Sequence, residues 1–165
     1  MSTLLEKQIK VNRIVTTNIG HARAIDDPAR AKIVEILYHQ ALSADQISTA
    51  LKKTGYKKAL TTVRHHLEIL KVSGLIEIAR IEESRGAITK FYSTSTKLLD
   101  FQTPEDFDST YSKIIDNTST KIEKLVKGLT PKTTKGKKSV EYSQYIVMEI
   151  MNRAMTNVLE KSGPK

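Results

Sequence analysis

Three short helices in the first half of the chain, each with its own start and stop signals, constrain the fold most. Asp27-Pro28 offers an N-cap followed by proline at the first helical position. Ser43-Ala44-Asp45-Gln46 predicts a capping box that opens a second helix, and Gly55 ends it. A third helix is predicted from about Ala59 to Val72, with apolar residues at helical spacing and Gly74 as its stop. Together these signals predict a compact trihelical unit.

The pattern changes after the third helix from helical to strand-like. Leu75 to Ile81 and Ile88 to Thr94 are rich in Ile, Phe, Tyr and Thr, and they flank the polar segment Glu82 to Ala87. This pattern is typical of a β-hairpin with a loop longer than a tight turn. Three helices followed by a hairpin is the order of the winged helix-turn-helix, a mainly α, α+β fold. In helix-turn-helix units the second helix of the pair enters the major groove of DNA.

The positive charge of the chain is concentrated in two short stretches. The chain has 27 Lys and Arg against 18 Asp and Glu, a formal net charge of +9. Residues 52–73 carry 6 basic groups and 1 acidic group, and residues 130–138 carry 4 lysines and no acid. A basic balance suggests a polyanionic partner, although a charge run alone is more often a solvated face. The first stretch lies on the third predicted helix and just before it, and this position favours a DNA-binding surface.

The third helix supplies the candidates for DNA contacts. An outward arginine near a helix start can bond a guanine edge, and threonine can reach a base edge or a phosphate. Lysines that precede such a helix, and basic residues of a wing, are placed for phosphate contacts, which position the protein without specifying sequence. The base-proximal candidates are Thr61, Thr62, Arg64, His65 and Glu68. The phosphate-contact candidates are Lys52, Lys53, Lys57, Lys58, Arg85 and Lys90.

Helices outside this unit are predicted to hold a homodimer together. A nearly continuous seam that suits a partner helix runs along the next predicted helix at steps of 4, 3, 4, 4, 3 and 4, through Phe107, Tyr111, Ile114, Thr118, Ile122, Leu125 and Leu129. The 4-4 step breaks the heptad and predicts a local change of supercoil. The methionines of the last helix could line an effector cavity, but such a stripe is more often core or interface. The dimerisation candidates are Leu4, Val11, Ile14, Val15, Phe107, Tyr111, Ile114, Ile122, Leu125, Met148, Met151 and Met155.

These elements divide the chain into five predicted segments. They are an N-terminal helix (1–21), a winged helix-turn-helix domain (22–98), a long helix (99–129), a basic linker (130–138) and a C-terminal helix (139–165). The linker lysines could bind phosphates, and a flexible spacer explains them equally well.

Several classes of function are not expected. The chain has no cysteine, so it has no thiolate metal site or catalytic thiol. His65 and His66 are adjacent on a helix and point about 100° apart, which disfavours a joint metal site. No nucleophile and base pattern is present, so neither an enzyme nor a cofactor is expected. No apolar run has the length of a membrane span or a leader, so we expect a cytoplasmic, nucleoid-associated protein with no membrane partner.

Residues 22–98 resemble the ArsR-like winged helix-turn-helix transcription regulators, especially the cysteine-free archaeal type. The resemblance is carried by Asp27-Pro28-Ala29-Arg30, by Thr62-Val63-Arg64-His65-His66-Leu67, by Gly74-Leu75-Ile76 and by Gly86 through Phe91-Tyr92. It implies a homodimeric regulator that binds double-stranded DNA sequence-specifically, with the wing on the backbone or in the minor groove. The connection before the third helix is longer than the family's usual one, and Arg64 stands where the family often has serine.

A second interpretation remains open. The winged domain could be a protein-interaction module of a transcription complex that does not read DNA sequence. The operator, the regulatory outcome and any small-molecule effector are not specified by the sequence.

Overall fold

The structure is a computed structural model, and it describes residues 18–129 and 140–161. These residues form two compact units, residues 18–101 and residues 102–129 with 140–161. The predicted dimerisation residues Leu4, Val11, Ile14 and Val15, and the predicted basic linker, lie outside the described residues. Among the helices that are described, none is long and apolar enough to span a bilayer.

The first unit is a winged helix. Its elements are α1 (Ile19–Ile25), α2 (Pro28–Ile36), β1 (Leu42–Ser43), α3 (Ala44–Lys53), α4 (Leu60–Val72), β2 (Glu77–Ser84) and β3 (Ala87–Ser93). The antiparallel sheet has the order β1-β3-β2. Helices α2 to α4 followed by the β2–β3 hairpin confirm the predicted mainly α fold with a two-stranded wing. The short strand β1, which pairs with β3, was not predicted.

The predicted helix starts are present as hydrogen bonds. The Asp27 carboxylate accepts from the backbone N–H of Ala29 at 2.8 Å and of Arg30 at 3.2 Å. At α3, the Ser43 N–H donates to the Gln46 side chain at 2.9 Å and the Gln46 N–H donates to the Ser43 hydroxyl at 3.4 Å. This reciprocal pair is the predicted capping box.

Glycine ends α3 and α4 in the same way. Gly55 has φ 92° and Gly74 has φ 78°, in the left-handed region that residues with a Cβ rarely adopt. At each site the backbone N–H after the glycine donates a hydrogen bond to a carbonyl in the last turn of the helix. Tyr56 N–H donates to the Leu51 carbonyl at 2.9 Å, and Leu75 N–H donates to the Leu70 carbonyl at 3.0 Å. Both ends are therefore Schellman motifs, and the chain turns sharply before and after α4.

The core of the first unit draws on all of its helices. Its largest fully buried side chains are Ile33, Val34, Leu37, Ile47, Leu51, Val63, Leu67, Leu70 and Ile76. Since α4 contributes three of these side chains along one side, its opposite side is held facing solvent.

The tip of the hairpin differs from the sequence prediction. Ser84 pairs with Ala87, so the turn is only the two residues Arg85 and Gly86, with φ 51° and 79°. Two consecutive positive φ values are those of a type I′ turn, whose twist matches that of the flanking strands. The expected longer loop was wrong, because Glu82 and Glu83 pair with β3 and extend the strand.

The described part of the second unit contains two long helices, α5 (Phe107–Leu129) and α6 (Val140–Lys161). The first turn of α5 is held by Asp106, whose carbonyl accepts from the Thr110 N–H at 2.9 Å. On α5, Ile114 is 61% exposed and Leu125 is 58% exposed, and no described residue of α6 is buried. Both helices therefore keep much of their apolar surface in contact with solvent.

Candidate nucleic-acid interface

The outward side of α4 contains the predicted base-proximal residues. Because Val63, Leu67 and Leu70 face the core, residues three and four positions apart on the other side face solvent together. Four of the five candidates are exposed and one is half-buried: Thr61, Arg64, His65 and Glu68 are exposed and Thr62 is half-buried. The structure therefore brings these side chains to one surface, which we call the α4 face.

Arg64 and Glu68 differ in whether their charged groups form an ion pair within the described residues. Within residues 18–129 and 140–161, Arg64 forms no ion pair and its guanidinium is exposed to solvent. The Glu68 carboxylate accepts from the Lys71 ammonium at 2.7 Å, and this hydrogen bond raises the pKa of Lys71. Arg64 is therefore available for a bidentate contact with a base, whereas Glu68 must first leave Lys71.

The N-terminus of α4 lacks the side-chain cap that the preceding helices have. Asn18, Asp27 and Ser43 cap α1, α2 and α3 with their side chains, whereas Ala59 caps α4 without a side-chain hydrogen bond. The first backbone N–H groups of a helix carry partial positive charge and bind anions when no side chain occupies them. This end of α4 is therefore chemically suited to a phosphate, in addition to the lysines that precede it.

The predicted phosphate-contact lysines lie at two places before α4. Lys52 and Lys53 are exposed in the last turn of α3, where basic residues also stabilise the helix dipole. Lys57 is exposed and Lys58 is half-buried in the connection that leads into α4. Half-buried Tyr56, which packs against the core, anchors this connection.

The wing contributes the remaining predicted cations and one that the sequence analysis missed. Arg85 is exposed at the turn, and Lys90 is exposed on β3 opposite Ile81. Arg80 lies over the Phe91 ring, 4.1 Å from its centroid, and pairs with Glu82 at 3.2 Å. A β-bulge between Ile78 and Arg80 brings Arg80 opposite Phe91, and strand alternation alone cannot locate such a bulge.

His66 is buried directly beneath the outward side of α4. It is 6% exposed, and neither ring nitrogen has a hydrogen-bond partner among the described residues. Burial lowers the pKa of His66, the Asp27 carboxylate raises it, and the charges of Arg30 and Lys58 lower it further, with a net decrease. The ring is therefore uncharged at neutral pH and packs as a core residue, whereas its neighbour His65 is exposed.

The structure shows no further chemical centre within its described residues. No group of three or more His, Asp or Glu side chains in this part of the chain could hold a metal ion. An open groove of about 400 Å³ lies along α3, lined by Gln40, Leu42, Asp45, Gln46, Thr49, Ala50 and Lys53. Of the predicted site residues only Lys53 lines this groove, so it is separate from the α4 face.

The described dimerisation candidates lie on α5 and α6. On α5 the ring centroids of Phe107 and Tyr111 are 4.7 Å apart with the ring planes tilted by 42°, and Ile122 is half-buried. On α6 Met155 is exposed, and Met148 and Met151 are half-buried.

Comparison with known proteins finds solved structures of regulators at low sequence identity. No protein-family model and no curated protein matches the sequence. The homodimeric winged helix-turn-helix DNA-binding domain of Mb0332 from Mycobacterium bovis, a possible ArsR-family regulator, is 21% identical, with a TM-score of 0.36 over 63% of this chain and 80% of that one. The regulator HlyU from Vibrio vulnificus is 16% identical, with a TM-score of 0.34 over 59% and 83%. Bacillus subtilis PadR, solved with operator DNA, is 12% identical, with a TM-score of 0.37 over 82% and 96%.

Proposed function

We propose that this protein is a homodimeric transcription regulator that binds double-stranded DNA sequence-specifically, with α4 in the major groove. The observation that carries the proposal is the α4 face, where exposed Arg64 lies beside threonines and follows a lysine-rich connection. A helix in the major groove meets base edges whose donor and acceptor pattern distinguishes all four base pairs. The ArsR-like and archaeal character suggested by the sequence belongs to this proposal.

The remaining cations fit the contacts that orient a helix in the groove. Lys52, Lys53, Lys57 and Lys58 and the uncapped amides of α4 would bind phosphates on one side of the helix. The wing, with Arg80, Arg85 and Lys90, would contact the backbone or the minor groove. In a homodimer two α4 helices would enter successive major grooves about 34 Å apart, which predicts a two-fold symmetric operator.

The test compares a residue proposed to read bases with one proposed to bind phosphate. A preferred duplex is selected from a random library with the full-length protein, and fluorescence anisotropy is measured on it and on a random duplex at several salt concentrations. Arg64→Ala is expected to cost about 1 to 3 kcal/mol on the preferred duplex and to relax specificity. Lys57→Ala is expected to weaken binding to both duplexes and to reduce the salt slope by about 1. Equal losses on both duplexes for both variants would contradict these roles.

A second candidate is a protein-interaction module without sequence-specific DNA binding. It is favoured by two apolar side chains of the wing, since Ile81 is 58% exposed and Ile88 is 67% exposed. This candidate predicts no salt-sensitive binding of the full-length protein to any duplex. It also predicts that Ile88→Ser, which leaves α4 intact, abolishes the interaction with the partner.

A further inference from the structure

The apolar seam of α5 has the same spacing in both directions. Its positions are 107, 111, 114, 118, 122, 125 and 129. The steps are 4, 3 and 4 on each side of Thr118, so each side spans 11 residues and the spacing on one side mirrors the spacing on the other. An 11-residue repeat corresponds to about 3.67 residues per turn, close to the 3.6 of an undistorted α-helix. The seam therefore stays on one side of the helix along its 23 residues.

The seam is available for a partner. Ile114 is 61% exposed, Leu125 is 58% exposed and Tyr111 is 41% exposed, whereas Ile122 is half-buried. Thr118, at the centre of the mirror pattern, is also exposed. An apolar stripe in water, here interrupted only by Thr118, is typical of a surface that another surface covers.

We infer that the seam pairs with the α5 seam of a second copy in antiparallel orientation, with the two-fold axis at Thr118. This inference rests on the homodimer of the proposed function and defines its interface. A two-fold interface must be complementary to itself, so residue i faces residue j and residue j faces residue i. In this register Tyr111 faces Leu125, and Ile114 faces Ile122.

Thr118 fixes the register. When the axis passes through position 118, the two threonines meet each other and their hydroxyls can share a hydrogen bond. A shift by one helical turn places each hydroxyl against an apolar side chain, where a buried polar group without a partner is destabilising. A single polar residue within an apolar seam is a known means of specifying register in paired helices.

Charge favours the antiparallel orientation over the parallel one. Residues 105–116 carry four acidic groups and one lysine, whereas residues 117–129 carry three lysines and one glutamate. Antiparallel pairing places the acidic half of each helix beside the basic half of the other, and parallel pairing places like charges side by side. Charges on adjacent helices lie within about 10 Å, the range over which they interact at moderate ionic strength. The opposed helix dipoles add to the same preference.

Disulfide cross-linking of the full-length protein tests both orientation and register. The natural chain has no cysteine, so each introduced thiol is the only one present. Ile114→Cys and Ile122→Cys are prepared singly, mixed, allowed to exchange subunits and oxidised mildly. A disulfide needs Cα atoms within about 7 Å, so it reports which positions face each other. We expect dimer cross-links in the mixture and little or none in either variant alone.

The matched control uses two positions with the same mirror relation on the other side of α5. Positions 113 and 123 are equally far from position 118 along the chain, but their side chains point away from the seam. A mixture of Lys113→Cys and Glu123→Cys is therefore expected to form no cross-links. Self-cross-linking of Ile114→Cys and of Ile122→Cys would show parallel pairing and overturn the inference. Absence of cross-links in every combination, with a monomer by light scattering, would overturn it as well.

A substitution at the centre provides an independent test. Thr118→Lys brings two ammonium groups together on the axis, and we expect self-association to weaken about tenfold or more, with helix content by circular dichroism unchanged. Thr118→Ser keeps the hydroxyl and is expected to remain a dimer. Unchanged association of Thr118→Lys would contradict the inference. If Ile114→Cys and Ile122→Cys cross-link as expected but the full-length protein does not bind DNA, the result would count against the proposed function and not against this interface.

Discussion

The two units of this protein use apolar helical spacing in opposite ways. In the winged-helix unit the apolar positions on the inward sides of α2, α3 and α4 form the buried core, with Leu67 only 1% exposed. In α5 and α6 the apolar positions have a similar spacing, yet many of their side chains face solvent, as Leu125 does at 58% exposure. The spacing predicts an amphipathic helix in both units, but it does not specify whether the partner surface belongs to the same chain.

The largest expected effect separates a core leucine from a seam leucine. Leu67→Ala is expected to lower the free energy of unfolding of the winged-helix unit by about 2 to 5 kcal/mol, because it removes buried apolar contacts and leaves a cavity. Leu125→Ala is expected to change that free energy by less than about 0.5 kcal/mol and to weaken self-association instead. Urea unfolding followed by circular dichroism, at two protein concentrations, measures both effects. A large, concentration-independent loss for Leu125→Ala would show that the seam is buried within one chain.

A smaller effect is expected at the start of α2. Asp27→Ala removes the carboxylate that caps two backbone amides and is expected to cost about 1 kcal/mol of unfolding free energy. Asp27→Asn keeps an acceptor oxygen and is expected to retain most of the stability. Asp26→Ala removes an exposed neighbouring carboxylate that does not cap α2, so thermal unfolding should be nearly unchanged. An equal loss at both positions would indicate a general charge effect in place of capping.

The smallest expected effect is a pH dependence confined to the winged-helix unit. Burial lowers the pKa of His66 below its usual 6.5, so the unfolded chain binds a proton more readily than the folded one. Stability is therefore complete above about pH 6.5 and decreases as the pH falls through the lower folded-state pKa of His66. Urea midpoints between pH 8 and pH 5 should show this decrease, and His66→Gln should flatten it. A midpoint that rises on acidification would contradict the assigned direction.

All four histidines of the chain lie within residues 18–101. When dissociation of the α5 pair is measured by light scattering between pH 8 and pH 5, we therefore expect no change in self-association that depends on a histidine. A change that His66→Gln removes would show that the two units are energetically coupled.

Much of the fold could be predicted because its signals act over only a few residues. The cap at Asp27, the capping box at Ser43 and the stops at Gly55 and Gly74 each involve hydrogen bonds within about one helical turn. The outward side of α4 followed from helical periodicity, since burying one side of a helix exposes the other. That these residues contact DNA remains a prediction.

The parts that could not be predicted depend on residues distant in sequence. Strand β1 exists because Leu42 and Ser43 pair with Tyr92 and Phe91, and two residues carry no strand pattern of their own. The tight turn at Arg85 required positive φ at a residue that seldom adopts it. Arg80 reaches Phe91 only because a bulge shifts the register of β2.

The sequence by itself determined where α2, α3 and α4 begin, where α3 and α4 end, that the wing follows α4, and that basic charge is concentrated on α4 and just before it. These properties depend on backbone geometry and side-chain type at neighbouring positions. Only the tertiary structure decided that, among the described residues, His66 is buried without hydrogen-bond partners and Glu68 is paired with Lys71 while Arg64 forms no ion pair. It also decided that Ile114 and Leu125 of the α5 seam are exposed. Burial and charge pairing depend on which surfaces meet when the chain packs, and periodicity within one element does not contain that information.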